Sequence, residues 1–338
     1  VADAIWLLAP FVREEVGPVT RLRRYEEGLR AWGAQVSIDS FQKMSLPHKV
    51  NGHTHILDPL SFVESVVARQ GEHAAQVWWP AITSAYSVTV TRLPMCSDSA
   101  LVSLFVELLT RAQTIIAPTD YMAKELQSHY KVAEHALVVM TTPLVSISQS
   151  TRSNEVVMRV EHAIQSSSRV LLCVSAIAPE RHLDRFVRVA ELTRYVFPDV
   201  APLLVGPVLD TRFARRLLPQ LQSVGIMYLG TFARAEMPDL YERAAVLYEP
   251  LQATALPASV GEALACSVPV VAHETLWGSR ALTAGMFSYR GEAEALRWTL
   301  HHLRAPSVRE QAVRSALDHQ DVDQIAREAH DLYTVCTR

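Results

Sequence analysis

Residues 169–177, RVLLCVSAI, form a nearly unbroken apolar run that starts just after a Ser-rich segment. Such a run reads as a strand buried on both faces, the way parallel strands are covered by helices. That feature confines the fold to architectures with helices on both sides of a sheet. The following segments keep the rhythm. LDRFVRVAELTRYVF (183–197) has helical spacing, and APLLVGPV (201–208) is a strand that stops at Gly206-Pro207. TRFARRLLPQLQSV (211–224) is a helix, GIMYLGTF (225–232) a strand, EMPDLYERA (236–244) a short helix and AVLYEPL (245–251) a strand. ASVGEALACS (258–267) is a helix that runs into the strand VPVVAHE (268–274), and GEAEALRWTLHHL (291–303) and APSVREQAVRSALDHQDV (305–322) are terminal helices.

The first half carries the same signals. DAIWLLAPF (3–11) is an apolar strand candidate, and VTRLRRYEEGLRAWGA (19–34) places Leu22, Tyr25, Leu29 and Trp32 near helical spacing, with Gly33 as its C-cap. QVSID (35–39) alternates as a strand does, HTHILDPL and AAQVWWPAI each hold a strand, and YSVTVTRL (86–93) is β-branched. SALVSLFVELLTRA (99–112) is an amphipathic helix capped by Asp98 or Ser99. QTIIAPT (113–119) is a strand, Thr119 or Asp120 caps YMAKELQSHY, and HALVVMTTPL (135–144) follows. With 338 residues, the chain suits two domains of about 150 residues. The expected division is a Rossmann-like domain over 1–145, a Ser-rich linker over 146–168, a second Rossmann-like domain over 169–318 and a terminal helix over 319–338 that packs back on the first domain.

The formal net charge is −3, so no global positive field favours nucleic acid. Cys96, Cys173, Cys266 and Cys336 form no CxxC pair or metal spacing; Cys173 and Cys266 read as small core hydrophobes. No apolar run reaches the roughly 18 residues that span a bilayer. A reducing, cytoplasmic setting is expected from that cysteine pattern, and no signal-peptide pattern is expected in the sequence.

The stretch from 169 to about 285 resembles the C-terminal domain of GT-B type glycosyltransferases, in particular the retaining family 4. The resemblance rests on LLCVSAIAPERHLDRFV, PLLVGP, VGIMYLGTFARAEMPDLYERAAVLYEPL and GEALACSVPVVA, in that order. It extends weakly to the first half through LLAPF…GPVTRLRRYEEGLRAWGAQVSI and AQTIIAPTDYMAKEL. It implies two doubly wound Rossmann-like α/β domains facing a cleft, a nucleotide-sugar as co-substrate on the second domain, an acceptor on the first, and no cofactor or metal. Glu262 matches the second Glu of the family's Glu-x7-Glu motif, which accepts the ribose hydroxyls; the alternative is a surface glutamate on a short amphipathic helix. Arg181, followed by His182, stands where the family has Lys-Gly and implies a phosphate contact. Gly206 and Pro207 end the second strand at the expected ligand edge.

The departures fall at the donor end. Thr254 replaces the first Glu of the motif, and Ala255-Leu256-Pro257 replaces Gly-Phe-Gly, so Pro257 removes an N–H. Ser175-Ala176 replaces Gly-Arg, and Ser267 replaces the Gly before Pro-Val-Val. Gly17 is the lone glycine of the loop after the first strand, where Glu14-Glu15 would repel a diphosphate. Thr254, Ala255, Leu256, Ser175 and Gly17 thus join Glu262, Arg181, Gly206 and Pro207 as expected donor contacts. Catalytic residues are not assigned; Arg92, Arg280 or a partner chain are the candidates to supply the missing charge. His53-x-His55 and His301-His302 lack a third ligand and read as solvated or hydrogen-bonded histidines. Trp78-Trp79-Pro80 reads as core before acceptor platform.

Three functions compete. The first is glycosyl transfer, with retention, from a nucleotide-sugar to a glycan, lipid, protein or small molecule. The second is a catalytically impaired GT-B protein that serves as a binding or partner subunit, which leaves room for a peripheral membrane or partner-subunit contact. The third is a sugar-nucleotide epimerase, which needs cleft carboxylates that the sequence does not reveal.

Overall fold

A computed structural model describes residues 4–9, 26, 29–30, 33–40, 53–71, 86–91, 93–94, 99–140, 158, 160–162, 164, 169–252, 257–275, 286–304 and 334. Contacts divide the chain into one unit of Val1–Pro143 with Asp321–Arg338, and a second of Leu144–Gln320.

The first unit holds a parallel sheet in the order β2-β1-β3-β4-β5-β6. Its strands are β1 (Ala4–Ala9), β2 (Gln35–Ser40), β3 (His53–Leu57), β4 (Tyr86–Thr89), β5 (Thr114–Ala117) and β6 (Leu137–Val139). The helices are α1 (Pro59–Gln70), α2 (Ser99–Arg111) and α3 (Asp120–Ser128). Glu26, Leu29 and Arg30 are helical, and the turn closes through Gly33 N–H to Arg30 O and Ala34 N–H to Leu29 O, as the C-cap expectation requires. Thr119 caps α3 by accepting from the Met122 N–H at 3.0 Å. One side of the sheet buries Trp6, Leu8, Ile56 and Val88 against α1 to α3; the other buries Ile5, Leu7, Leu57 and Ile116.

Two sequence expectations change here. The strand in HTHILDPL ends at Leu57, and α1, which sequence reading passed over, begins two residues later. Asp58 caps it, accepting from the Ser61 N–H at 3.2 Å and the Ser61 hydroxyl at 2.7 Å, and Pro59 fits its first turn. Asp-Pro thus opens a helix inside a segment expected to hold a strand. The strand expected over 86–93 pairs only over Tyr86–Thr89.

The second unit restarts the winding. Its sheet runs β12-β11-β10-β7-β8-β9, all parallel. The strands are β7 (Arg169–Val174), β8 (Val200–Val205), β9 (Met227–Tyr228), β10 (Val246–Glu249), β11 (Val270–His273) and β12 (Met286–Tyr289). The helices are α4 (Leu183–Val196), α5 (Thr211–Ser223), α6 (Met237–Arg243), α7 (Ala258–Ala265) and α8 (Glu292–Arg304). The apolar run that opened the reading is explained by its two faces. Val170 and Leu172 pack on the side of α6 and α7. Leu171 and Cys173 pack on the side of α4, α5 and α8. Cys173 is buried, as expected, while Cys266 is only partly so. GIMYLGTF yields only two strand residues at the sheet edge, and β12 is an edge strand that sequence reading did not mark. Among the described residues no helix is long and apolar enough to cross a membrane.

Candidate functional site

Strand order locates the site in the second unit. From β7 the chain winds through β8 to β9, then returns to place β10 on the other side of β7. Open parallel sheets bind ligands beyond the strand C-termini at such a reversal. Leu247 pairs with Leu172 and Val174 with Val205, so Glu249, Val174 and Val205 end level with one another.

The segments after β7 and β8 are stitched together. Ser175 N–H donates to Val205 O and Ile177 N–H to Pro207 O, both at 2.8 Å, and Leu209 and Asp210 N–H both donate to Ile177 O at 3.1 Å. Gly206 has φ 150°, and a Cβ there would lie 2.1 Å from the Ser175 carbonyl oxygen, so only glycine permits this approach. Its N–H reaches Gly230 O at 2.9 Å, and its own carbonyl accepts from the Tyr228 hydroxyl at 2.8 Å. Ser175 and the Gly206-Pro207 turn, named separately from sequence, are therefore neighbours.

Arg181 closes a single 3-10 turn, Pro179–Arg181. His182 then takes left-handed angles (φ 51°, ψ 37°) and α4 starts at Leu183. Arg181 is half-buried, and its Nε has no hydrogen-bond partner among the described residues. Its charge faces Glu249.

Glu249 is the residue that sequence reading missed. Alternation along β10 puts Leu247 in the apolar layer beneath α7, and Glu249 follows on that side, 3 % exposed. Its Oε1 accepts from the Leu251 N–H and its Oε2 from the Ser259 hydroxyl, each at 3.1 Å. Burial raises its carboxyl from 4.5 to about 7, against the opposing pull of the Leu251 N–H, Arg181 and Ser259. The signal was legible: YEP puts a carboxylate where the strand pattern calls for a hydrophobe.

Glu262 lies on α7 and is 9 % exposed, which excludes the reading of a surface glutamate. Its Oε2 accepts from the buried Tyr241 hydroxyl at 3.0 Å. Burial and the adjacent carboxylate hold the Tyr241 hydroxyl well above its ordinary pKa. The C-terminus of α7 is a Schellman turn: Ser267 N–H donates to Leu264 O at 2.9 Å and Val268 N–H to Ala263 O at 2.8 Å. Ser267 therefore occupies the left-handed position (φ 61°) that usually carries glycine. Thr254, Ala255, Leu256, Gly17, Arg92 and Arg280 lie outside the described residues, as do Trp78, Trp79 and Pro80.

Of the two histidine pairs, His53 and His55 are both buried, whereas His301 is exposed and only His302 is buried. His53 Nε2 and His55 Nδ1 share the Ser87 hydroxyl at 2.8 and 2.7 Å, and His55 Nε2 meets the Thr89 hydroxyl at 3.0 Å. They are hydrogen-bonded rather than solvated. His302 is buried, its ring 4.1 Å from that of Phe287. Among the described residues no group of three or more His, Cys, Asp or Glu could hold a metal ion.

Residues 168–305 match the family Glycosyl transferases group 1. The chain is similar in fold to WaaG, a glycosyltransferase involved in lipopolysaccharide biosynthesis, at 12 % identity over 99 % of each chain with a TM-score of 0.70. It is similar to sucrose-phosphate synthase from Thermosynechococcus elongatus at 13 % identity over 98 % of each chain, TM-score 0.75. It is also similar to HepE from Anabaena in complex with UDP-glucose, at 13 % identity over 98 % of this chain and 99 % of that one, TM-score 0.72. A search of curated proteins finds no match. Residues 168–305, within the second unit, thus match a group 1 glycosyltransferase domain, and the chain as a whole has the GT-B fold.

Proposed function

We propose that the second unit binds a nucleotide-sugar beyond the ends of β7, β8 and β10, and that the chain transfers the sugar, with retention, to an acceptor taken up by the first unit. The observation that carries this reading is the backbone at His182. It holds a left-handed conformation that costs a non-glycine residue about 1–2 kcal/mol. It does so directly after Arg181, where that conformation turns the chain from a phosphate-binding cation into the N-terminus of α4. Strain retained beside a half-buried cation is typical of a binding site. HepE, a protein of the same fold, is known in complex with UDP and with UDP-glucose, which supports a donor of that class.

In this reading Arg181 and the N-terminus of α4 neutralise the departing diphosphate, and Glu262, steadied by Tyr241, accepts from the ribose hydroxyls. Calorimetric titration with UDP, GDP and dTDP, followed by assay of sugar-nucleotide turnover, tests it; no affinity for any of them would sink it.

The second reading, a catalytically impaired binding subunit, draws on Pro257. It precedes α7 with φ −60° and offers no N–H there. If the native protein binds nucleotide but does not turn it over, and Ala176→Arg with Thr254→Glu restores sugar-nucleotide hydrolysis, that reading prevails. Turnover by the native protein at ordinary rates, about 1–10³ s⁻¹, excludes it.

A further inference from the structure

Arg185 carries a partly buried charge that no carboxylate answers among the described residues. It lies on α4, four residues after Arg181. Both terminal nitrogens donate to the Gln252 side-chain oxygen at 3.1 Å, in the amide orientation that satisfies both ends. His273 Nε2 meets the same oxygen at 2.9 Å. The His273 ring accepts the Thr275 N–H at its Nδ1, so its proton sits on Nε2 and points at Gln252. The Tyr289 hydroxyl is a further neutral partner of Arg185. The acidic neighbour on the same helix, Asp184, is paired with Arg188.

A guanidinium does not lose its proton, and amide and phenol oxygens solvate the charge without cancelling it. A partly buried cation left uncompensated is costly unless an anion completes the site. Position says where that anion lies. Gln252 follows β10 and His273 ends β11, so the cluster stands at the C-terminal edge of the sheet. Arg181 stands beside Glu249 on the α7 side of β10, and Arg185 stands with Gln252 and Tyr289 toward the α4 side. Two cations thus flank one strand end. The turn after β7, which also borders this point, reads Ser175-Ala176 and supplies none.

We propose that Arg185 is a second diphosphate-binding cation of the donor site, held in place by Gln252 and His273 as positioning residues; this rests on the donor reading given above. A nucleoside diphosphate carries more charge than Arg181 alone balances, and the guanidinium N–H groups of Arg185 that Gln252 does not engage remain for phosphate oxygens.

Calorimetry on the full chain tests the assignment with UDP, GDP and dTDP, and with the corresponding nucleosides as phosphate-free probes. Arg185→Gln should weaken the diphosphate that the native protein binds by tenfold or more, and change nucleoside affinity by less than twofold. Arg185→Lys should lose less affinity than Arg185→Gln, because the charge remains although the guanidinium geometry is lost. Diphosphate affinity unchanged by Arg185→Gln, in a native protein that binds it, overturns this proposal alone. So does an equal loss for the Gln and Lys variants accompanied by lowered melting temperatures, since that marks a structural role. A native protein that binds no nucleoside diphosphate overturns the donor reading and this proposal together.

Discussion

The Ser259 hydroxyl donates to Glu249 Oε2 at 3.1 Å, tying the first turn of α7 to the last residue of β10. The same carboxyl receives the Leu251 N–H on its other oxygen, so one side chain fixes both ends of the loop where the resemblance puts donor contacts. Its folded pKa is about 7 against 4.5 unperturbed. Below pH 4.5 the group is protonated folded and unfolded, and no penalty exists. Between pH 4.5 and 7 the unfolded chain loses the proton first, so stability falls by up to about 3 kcal/mol and then levels off. Glu249→Gln keeps an acceptor for Leu251 and an amide that can donate to Ser259. The variant should equal the native protein near pH 4.5 and exceed it in denaturant midpoint at pH 8. A difference that does not vary with pH would refute the shifted carboxyl.

Glu262 is joined to Tyr241 inside the unit, so two variants separate binding from folding. Glu262→Ala should weaken nucleotide binding by about 1.5–3 kcal/mol if its carboxylate accepts from the ribose. Tyr241→Phe, which deletes the hydroxyl shared between Glu262 and the Ser259 carbonyl, should cost about 1–2 kcal/mol of stability with a smaller effect on affinity. Unchanged nucleotide affinity in Glu262→Ala would leave Glu262 as the anchor of Tyr241 alone.

Ser267 pays for its left-handed angles at the end of α7. Glycine there is free of the Cβ clash but loses more backbone entropy on folding. The balance favours Ser267→Gly by about 0.5–1 kcal/mol, read as a raised melting temperature with donor binding intact. A lowered melting temperature would mean that contacts of the serine side chain outweigh the strain.

His53 and His55 give the first unit an acid limit. Burial lowers His53 to about 4; burial, with the charge of His53 added, lowers His55 to about 3. Both are neutral in the fold, and the Ser87 hydroxyl lies within hydrogen-bond distance of both rings. Their contribution is complete above the unfolded value of 6.5 and is lost as pH falls toward 4 and then 3. Hydrogen exchange of β3 and β4 should show protection falling below about pH 6, by about 3 kcal/mol for His53 alone. Ring NMR signals that titrate near 6.5 would contradict it.

The sequence by itself determined the layer architecture and the order of elements. Strand and helix periods of 2 and 3.6 are local records of which faces are buried, so RVLLCV declares covered faces before any neighbour is known. It also placed Glu262 on α7 and Arg181 just ahead of α4, because caps and turns are short-range. It passed over α1, whose Asp58-Pro59 opening has the composition of a turn. The tertiary structure alone decided what meets at the strand ends. Arg185 reaches Gln252 and His273, and Glu249 reaches Ser259, only because the crossovers set β10 and β11 on the far side of β7 from β8. Likewise His53 and His55 meet Ser87 because β3 and β4 pair in register. Burial and charge compensation depend on those neighbours, so the sequence signals only a carboxylate at a strand position in YEP, while the raised pKa of Glu249 and the uncompensated charge of Arg185 come from the sheet order.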